Sequence, residues 1–212
     1  MNKSELLEKL KKEIFEDETL PLRDANLVFG EGNPETEIVF IGEAPGRSED
    51  LEGRPFVGRA GKLLDMLINE IGWKREDVYI TNIVKRRPPE NRDPLPEEVQ
   101  AYRPYLKRQM EIINPRLIVP LGRFSMNVFL PDAKISKDQG KIFKKGQKII
   151  VPLYHPAAAL RSTAVLENLR IAFHRLPAIK NKLDEFLAKK PEDSGLKPDR
   201  KDDVEQKQSG LF

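Results

Sequence analysis

The chain has 212 residues, 33% of them charged, with a formal net charge of +3, two histidines and no cysteine. Such a length suffices for one domain with a sizeable core. The lack of thiols excludes disulfides, thiolate metal sites, cysteine-held iron–sulfur clusters and thiol nucleophiles, and two histidines argue against a His-rich metal centre.

The opening "MNKSELLEKLKKEIF" has the spacing of an amphipathic helix. It lacks the apolar stretch and small-residue cleavage site of a secretion signal, and no run approaches the ~18 apolar residues of a membrane span. A soluble, monomeric, cytoplasmic protein is expected. Abundant Lys and Glu without Cys suit a thermophile.

Apolar runs bounded by turn residues predict strands at "EIVFIG" (37–42), "DVYITNIV" (77–84), "LIVPLG" (117–122) and "KIIVPLY" (148–154). Helical spacing falls between and after them, at 60–72, 96–114 and 123–130, then along 165–190 with a kink expected at Pro177. Alternating strands and helices predict a three-layer α/β/α domain over 1–190, with a central four-stranded, largely parallel sheet. The remainder, 191–212, is charged and nearly devoid of apolar residues, and reads as a disordered tail.

In such sheets ligands bind beyond the carboxyl ends of the strands. The loops there should converge: "GEAPG", "KRRPPENRDP", "GRF" and "HPAAALRS". The stretch "GRAGKLL" (58–64) is no phosphate loop, because Phe56 stands at the first glycine position and Leu63 at the magnesium-ligating one. His155 sits directly after a strand, ahead of a small-residue loop. That loop carries Leu160, a candidate wedge between bases, and Arg161. Asn82, at the end of a buried strand, offers both a donor and an acceptor to one face of a base. Lys85, Arg86, Arg87 and Arg92 follow on a Pro-stiffened loop, where phosphate contacts are expected.

Taken together, "GEAPGRSEDLEGRPFVGRAGKLLD", "YITNIVKRRPPENRDP" and "HPAAALR" resemble the motifs of the family-4 uracil-DNA glycosylases over about residues 5–185. The resemblance implies an enzyme that flips uracil out of DNA and excises it, leaving an abasic site. It places Glu43 and Glu49 as the acids of the first motif, Phe56 as the ring that stacks on uracil, and Asn82 as the reader of its polar edge. His155 becomes the donor to the uracil carbonyl oxygen as negative charge builds there. Carboxylates near the sugar then stabilise the cation and activate water, while Gly42, Ala44 and Gly46 let the loop approach the base. Where the first uracil-glycosylase family has an Asp and a thymine-blocking Tyr, this chain has Ala44 and Gly46. Glu43 or Glu49 is therefore expected to handle the water, and Glu49 also to help exclude thymine's methyl group.

One departure is large. The family's four cysteines hold a [4Fe–4S] cluster, and the aligned positions here are Asp17, Leu20, Arg86 and Tyr102. No cofactor is expected. Leu20 and Tyr102 should fill the volume, and Asp17 and Arg86 should form an ion pair. The last residues, "KQSGLF" within 206–212, resemble the start of a sliding-clamp-binding motif. Two alternatives stay open: a related glycosylase acting on hypoxanthine or xanthine, and a module that binds uracil-DNA without cutting it.

Overall fold

The computed structural model describes residues 1–188; the expected tail and its clamp-like end lie outside them. Along the chain come α1 (Lys3–Glu16), β1 (Glu31–Gly32), β2 (Ile38–Gly42), α2 (Arg47–Glu52), α3 (Arg59–Glu70) and β3 (Tyr79–Asn82). There follow α4 (Pro96–Ile113), β4 (Leu117–Pro120), α5 (Arg123–Phe129), α6 (Ile135–Asp138), β5 (Phe143–Lys145), β6 (Lys148–Ile150), α7 (Pro156–Ala159), α8 (Thr163–Asn181) and α9 (Leu183–Ala188).

The four expected strands form the parallel centre of the sheet, but the sheet has six strands in the order β1-β3-β2-β4-β6-β5. The two extra strands, β1 and β5, pair antiparallel at the edges. At two and three residues, "EG" and "FKK", they are too short and polar to leave a periodic pattern.

Every residue of β2, β3 and β4 is buried, as parallel strands covered on both faces require. Side chains alternate between two cores. Ile38 and Phe40 face α3 and α8, where Leu64, Leu67, Phe173 and Leu176 pack and the Phe40 and Phe173 rings stack at 5.7 Å. Val39 and Ile41 face α1 and α4, meeting Leu10, Ile14, Leu106 and Met110. Asn2 and Glu5 cap α1 reciprocally, side chain to backbone in both directions.

The terminal helix differs from expectation. It runs through Pro177 to Asn181 and breaks at Lys182, giving two helices in place of one kinked at the proline. A single missing donor is tolerated where Leu176 and Ile179 stay buried against the sheet.

Two expectations about polar residues are corrected. Asp17 and Arg86 do not pair. Asp17 accepts hydrogen bonds from the Thr19 amide (2.9 Å) and hydroxyl (2.6 Å) and from the Tyr105 hydroxyl. Partners two residues away capture its carboxylate before a distant cation does. Arg86 instead donates to the Ala25 carbonyl at 2.6 Å. Leu20 and Tyr102 do lie together in the second core, and the Tyr102 hydroxyl donates to the Pro21 carbonyl at 2.8 Å. An engaged carboxylate, an aliphatic chain, a guanidinium and a phenol do not fit an iron–sulfur cluster, which needs thiolates.

Lys85 is the second correction, since it is fully enclosed and touches no solvent. Its Nζ donates to Thr81 Oγ1 (2.6 Å), Gln109 Oε1 (2.6 Å) and the Asn82 carbonyl (2.8 Å). Burial pushes its pKa well below the usual lysine range. It braces the end of β3 from beneath rather than meeting phosphate.

Lys85→Met should therefore strand three buried acceptors. The expected loss is about 1–3 kcal/mol of stability, read as a drop of several degrees in Tm. The salt dependence of DNA binding should stay as in the wild type; a shallower salt slope with unchanged Tm would restore the phosphate assignment.

Candidate active site

The parallel part of the sheet begins at β2, turns to β3 on one side, then crosses back to β4 on the other. The switch point thus lies between β2 and β4, where an open α/β sheet leaves its ligand crevice. The loops beyond these strands carry Glu43 and Arg123, and the neighbouring strand ends carry Asn82 and His155.

Four groups meet there. Asn82 is buried at the end of β3, and its Oδ1 has no hydrogen-bond partner among the described residues. Gly42, paired with Asn82 across the strands, leaves room for it. A Cβ at that position would stand 2.4 Å from Asn82 Oδ1 and 2.5 Å from the Phe56 ring. The buried Phe56 ring faces the His155 ring, centroids 5.7 Å apart with an interplanar angle of 29°. An unsatisfied acceptor, one buried aromatic face, an imidazole beside it and a glycine that leaves room make these strand ends a candidate slot for a flat polar ring.

His155 caps α7, and its Nδ1 accepts the Ala157 amide at 3.1 Å. A ring nitrogen that accepts carries no proton, so neutral His155 bears its hydrogen on Nε2. Burial lowers its pKa to about 4, against a smaller opposing pull from Glu49. At neutral pH it is an uncharged donor.

Glu43 shifts the other way. Burial raises its pKa to about 7, the Asp93 carboxylate adds to the rise, and Arg123 partly offsets it. Asp93 and Arg123 pair with each other at 2.9 Å. The result is a carboxyl group able to gain or lose a proton near neutrality.

Glu49 serves the backbone. One oxygen accepts the amides of Val57 (3.0 Å) and Gly58 (2.8 Å), and the other accepts that of Gly46 (3.2 Å). Ala44 packs against the second core, partly buried. The first-motif loop and the segment carrying Phe56 are thereby tied into one wall.

The remaining expected contacts divide. Leu160 is 42% exposed at the end of α7, with Arg161 exposed beside it. Arg87 is half-buried, its Nε donating to Asn91 at 2.7 Å. Arg92, expected among the phosphate contacts, is held in a two-pronged pair with the buried Glu98 at 2.6 and 2.9 Å, and so anchors the start of α4. Reading of the sequence missed Asp93 and Arg123 beside Glu43. Their only signal was a place on two of the converging loops.

The description of the uracil DNA glycosylase superfamily matches residues 29–176. Type-4 uracil-DNA glycosylases from hot-source organisms are similar over most of their length. The one from Saccharolobus solfataricus is 51% identical over 176 residues, covering 76% of this chain and 82% of that protein. The one from Archaeoglobus fulgidus is 50% identical over 160 residues, 71% of this chain and 80% of its own. The Thermotoga maritima protein is 49% identical over 162 residues, 72% and 84% respectively. With that match spanning the slot and both of its flanking loops, the chain belongs to the uracil-DNA glycosylase superfamily, in its type-4 branch, without the cysteines that would ligate a cluster.

Proposed function

We propose that the protein hydrolyses the N-glycosidic bond of uracil in DNA, in single strands and opposite guanine or adenine, and leaves an abasic site for base-excision repair. The observation that carries this reading is the buried, unpartnered Asn82 Oδ1, which shares the space over Gly42 with the Phe56 ring. Uracil supplies what that atom lacks, a ring N–H, and its neighbouring carbonyl can accept from the same amide.

The reaction follows from the surrounding charges. As the bond from sugar to base lengthens, positive charge gathers on the sugar and negative charge on uracil. The neutral Nε2–H of His155 donates to the uracil carbonyl oxygen and stabilises the departing anion. Ionised Glu43 stabilises the cationic sugar, takes a proton from the attacking water and delivers the oxygen to the sugar carbon. Glu49 is already engaged by three amides, so the water falls to Glu43 and Glu49 holds the wall that excludes thymine's methyl. Leu160 fills the stack left by the flipped base, and Arg87 and Arg161 meet phosphates. The protein acts as a monomer in the cytoplasm. No helix among the described residues is long and apolar enough to cross a membrane.

An oligonucleotide with one uracil, incubated and then cleaved with alkali at abasic sites, tests the assignment. His155→Ala should slow cleavage by about 10²–10³-fold, the usual cost of losing one such donor. Asn82→Ala should lower it sharply while plain DNA binds as before. Wild-type cleavage that survived both changes would overturn the assignment.

The acid limb of the pH profile tests Glu43. Only its carboxylate accepts a proton, so single-turnover rates should fall as pH drops through about 7, and this limb should vanish in Glu43→Gln. The same raised pKa means the folded protein holds a proton that the unfolded chain releases above about pH 4.5. Glu43 therefore costs stability as pH rises, and Glu43→Gln should raise Tm at pH 8 but not at pH 4. A wild-type limb that persisted in Glu43→Gln would assign the titration elsewhere.

A further inference from the structure

Phe56 has a backbone φ of +51°, in the left-handed region that a bulky aromatic residue seldom occupies. A residue stays there only when its surroundings over-determine it. Three contacts do so. Arg75, in the turn before β3, sends Nη2 to the Pro55 carbonyl at 2.5 Å and Nη1 to the Phe56 carbonyl at 3.3 Å. On its other side the guanidinium pairs with Asp65 of α3 at 2.5 Å and Glu31 of β1 at 2.7 Å. Gly61 of α3 lies directly on Phe56, where a Cβ would stand 1.9 Å from its carbonyl oxygen. Glu49 takes the next two amides, those of Val57 and Gly58. A cation thus grips the carbonyls before the bend, and an anion grips the amides after it.

We propose that Arg75 is a positioning residue for uracil excision, which acts by holding Phe56 in its left-handed conformation and so aiming the ring across the base slot. The inference rests on the reading of the slot as a uracil site. Arg75 does not touch the base. Its planar fork spans two successive carbonyls while answering two carboxylates, a geometry that lysine lacks. If the grip is lost, the peptide at Phe56 relaxes toward negative φ, the ring turns out of line with His155, and the base loses one face of its slot.

The experiment is a double-mutant cycle of Arg75→Gln with Phe56→Ala, read as single-turnover uracil excision well below the Tm of each variant. Hydrogen exchange over residues 55–61 is measured on the same proteins. Arg75→Gln alone should slow excision on the order of ten- to a hundredfold, the scale expected for a misplaced contact group. On the Phe56→Ala background it should change the rate by less than about twofold, because its effect runs through the ring. Exchange at the Phe56, Val57 and Gly58 amides should quicken. Arg75→Lys keeps the charge against Asp65 and Glu31, and should recover stability but only part of the rate. It decides the matter if Arg75→Gln does not fold. Multiplying losses in the cycle, or full recovery of rate by lysine, would overturn the inference. A wild type inactive on uracil would overturn the functional reading instead, and unchanged exchange in Arg75→Gln would then overturn this inference separately.

Discussion

The architecture depends on burial of the parallel strands on both faces. Because Ile38 to Ile41 alternate into two apolar cores, a polar side chain within the sheet, such as Thr81, has to be satisfied internally and cannot reach a ligand. Chemistry is confined to the carboxyl edge, where the hydrogen-bonded ladder ends and backbone turns outward. Gly42, Asn82, Gly122 and His155 each lie at or just beyond a strand end. The same constraint explains Lys85. A lysine three residues past that edge whose side chain folds back under it has no route to solvent and bonds to Thr81, Gln109 and the Asn82 carbonyl. It then stiffens Asn82, the residue proposed to read the base.

Burial also fits the two titrating roles proposed for Glu43 and His155. One apolar setting disfavours both charged forms, and so moves a carboxyl up and an imidazole down. Glu43 reaches about 7 and His155 about 4. The imidazole is left as a neutral donor at the pH where the carboxyl turns into a base. No metal is called on for either role. A cationic imidazole would bind the uracil anion more strongly, yet it would have to be kept charged inside an apolar slot. A neutral donor held by the Ala157 amide needs no such upkeep, because its direction is set before the substrate arrives.

Much of this was legible in the sequence. Apolar runs located the four central strands; Gly42 and His155 fell in the loops named after them, Asn82 at the end of a strand, and Phe56 entered only through the family resemblance. What escaped had no local pattern. The edge strands β1 and β5 are too short for periodicity, and the break at Lys182 follows from packing rather than from Pro177. Lys85, Arg92 and Arg87 look alike as a basic run, although one is enclosed, one is tied to Glu98 and one is half-exposed. Their environments come from Gln109, Glu98 and Asn91, and the first of these lies 24 residues away. Arg75 shows the same limit. Its partners Glu31, Pro55 and Asp65 are scattered, and only the fold makes them a cluster.

The region aligned with the family's cluster shows how such positions are rebuilt without thiolates. A cluster cross-links distant chain segments through covalent bonds to a metal core. Here Tyr102 of α4 reaches Pro21, Tyr105 reaches Asp17, and Arg86 beyond β3 reaches Ala25. Each contact joins the segment between α1 and β1 to the body of the domain. Individually such bonds contribute about 1–3 kcal/mol, and they sit over an apolar floor that includes Leu20 and Tyr102. None of these contacts uses a thiolate. The arrangement also lies on the α1–α4 face of the sheet, whereas Phe56 packs in the core on the α3–α8 face. Replacement of the cluster therefore leaves the wall of the base slot to its own set of ionic ties, those of Glu49 and Arg75.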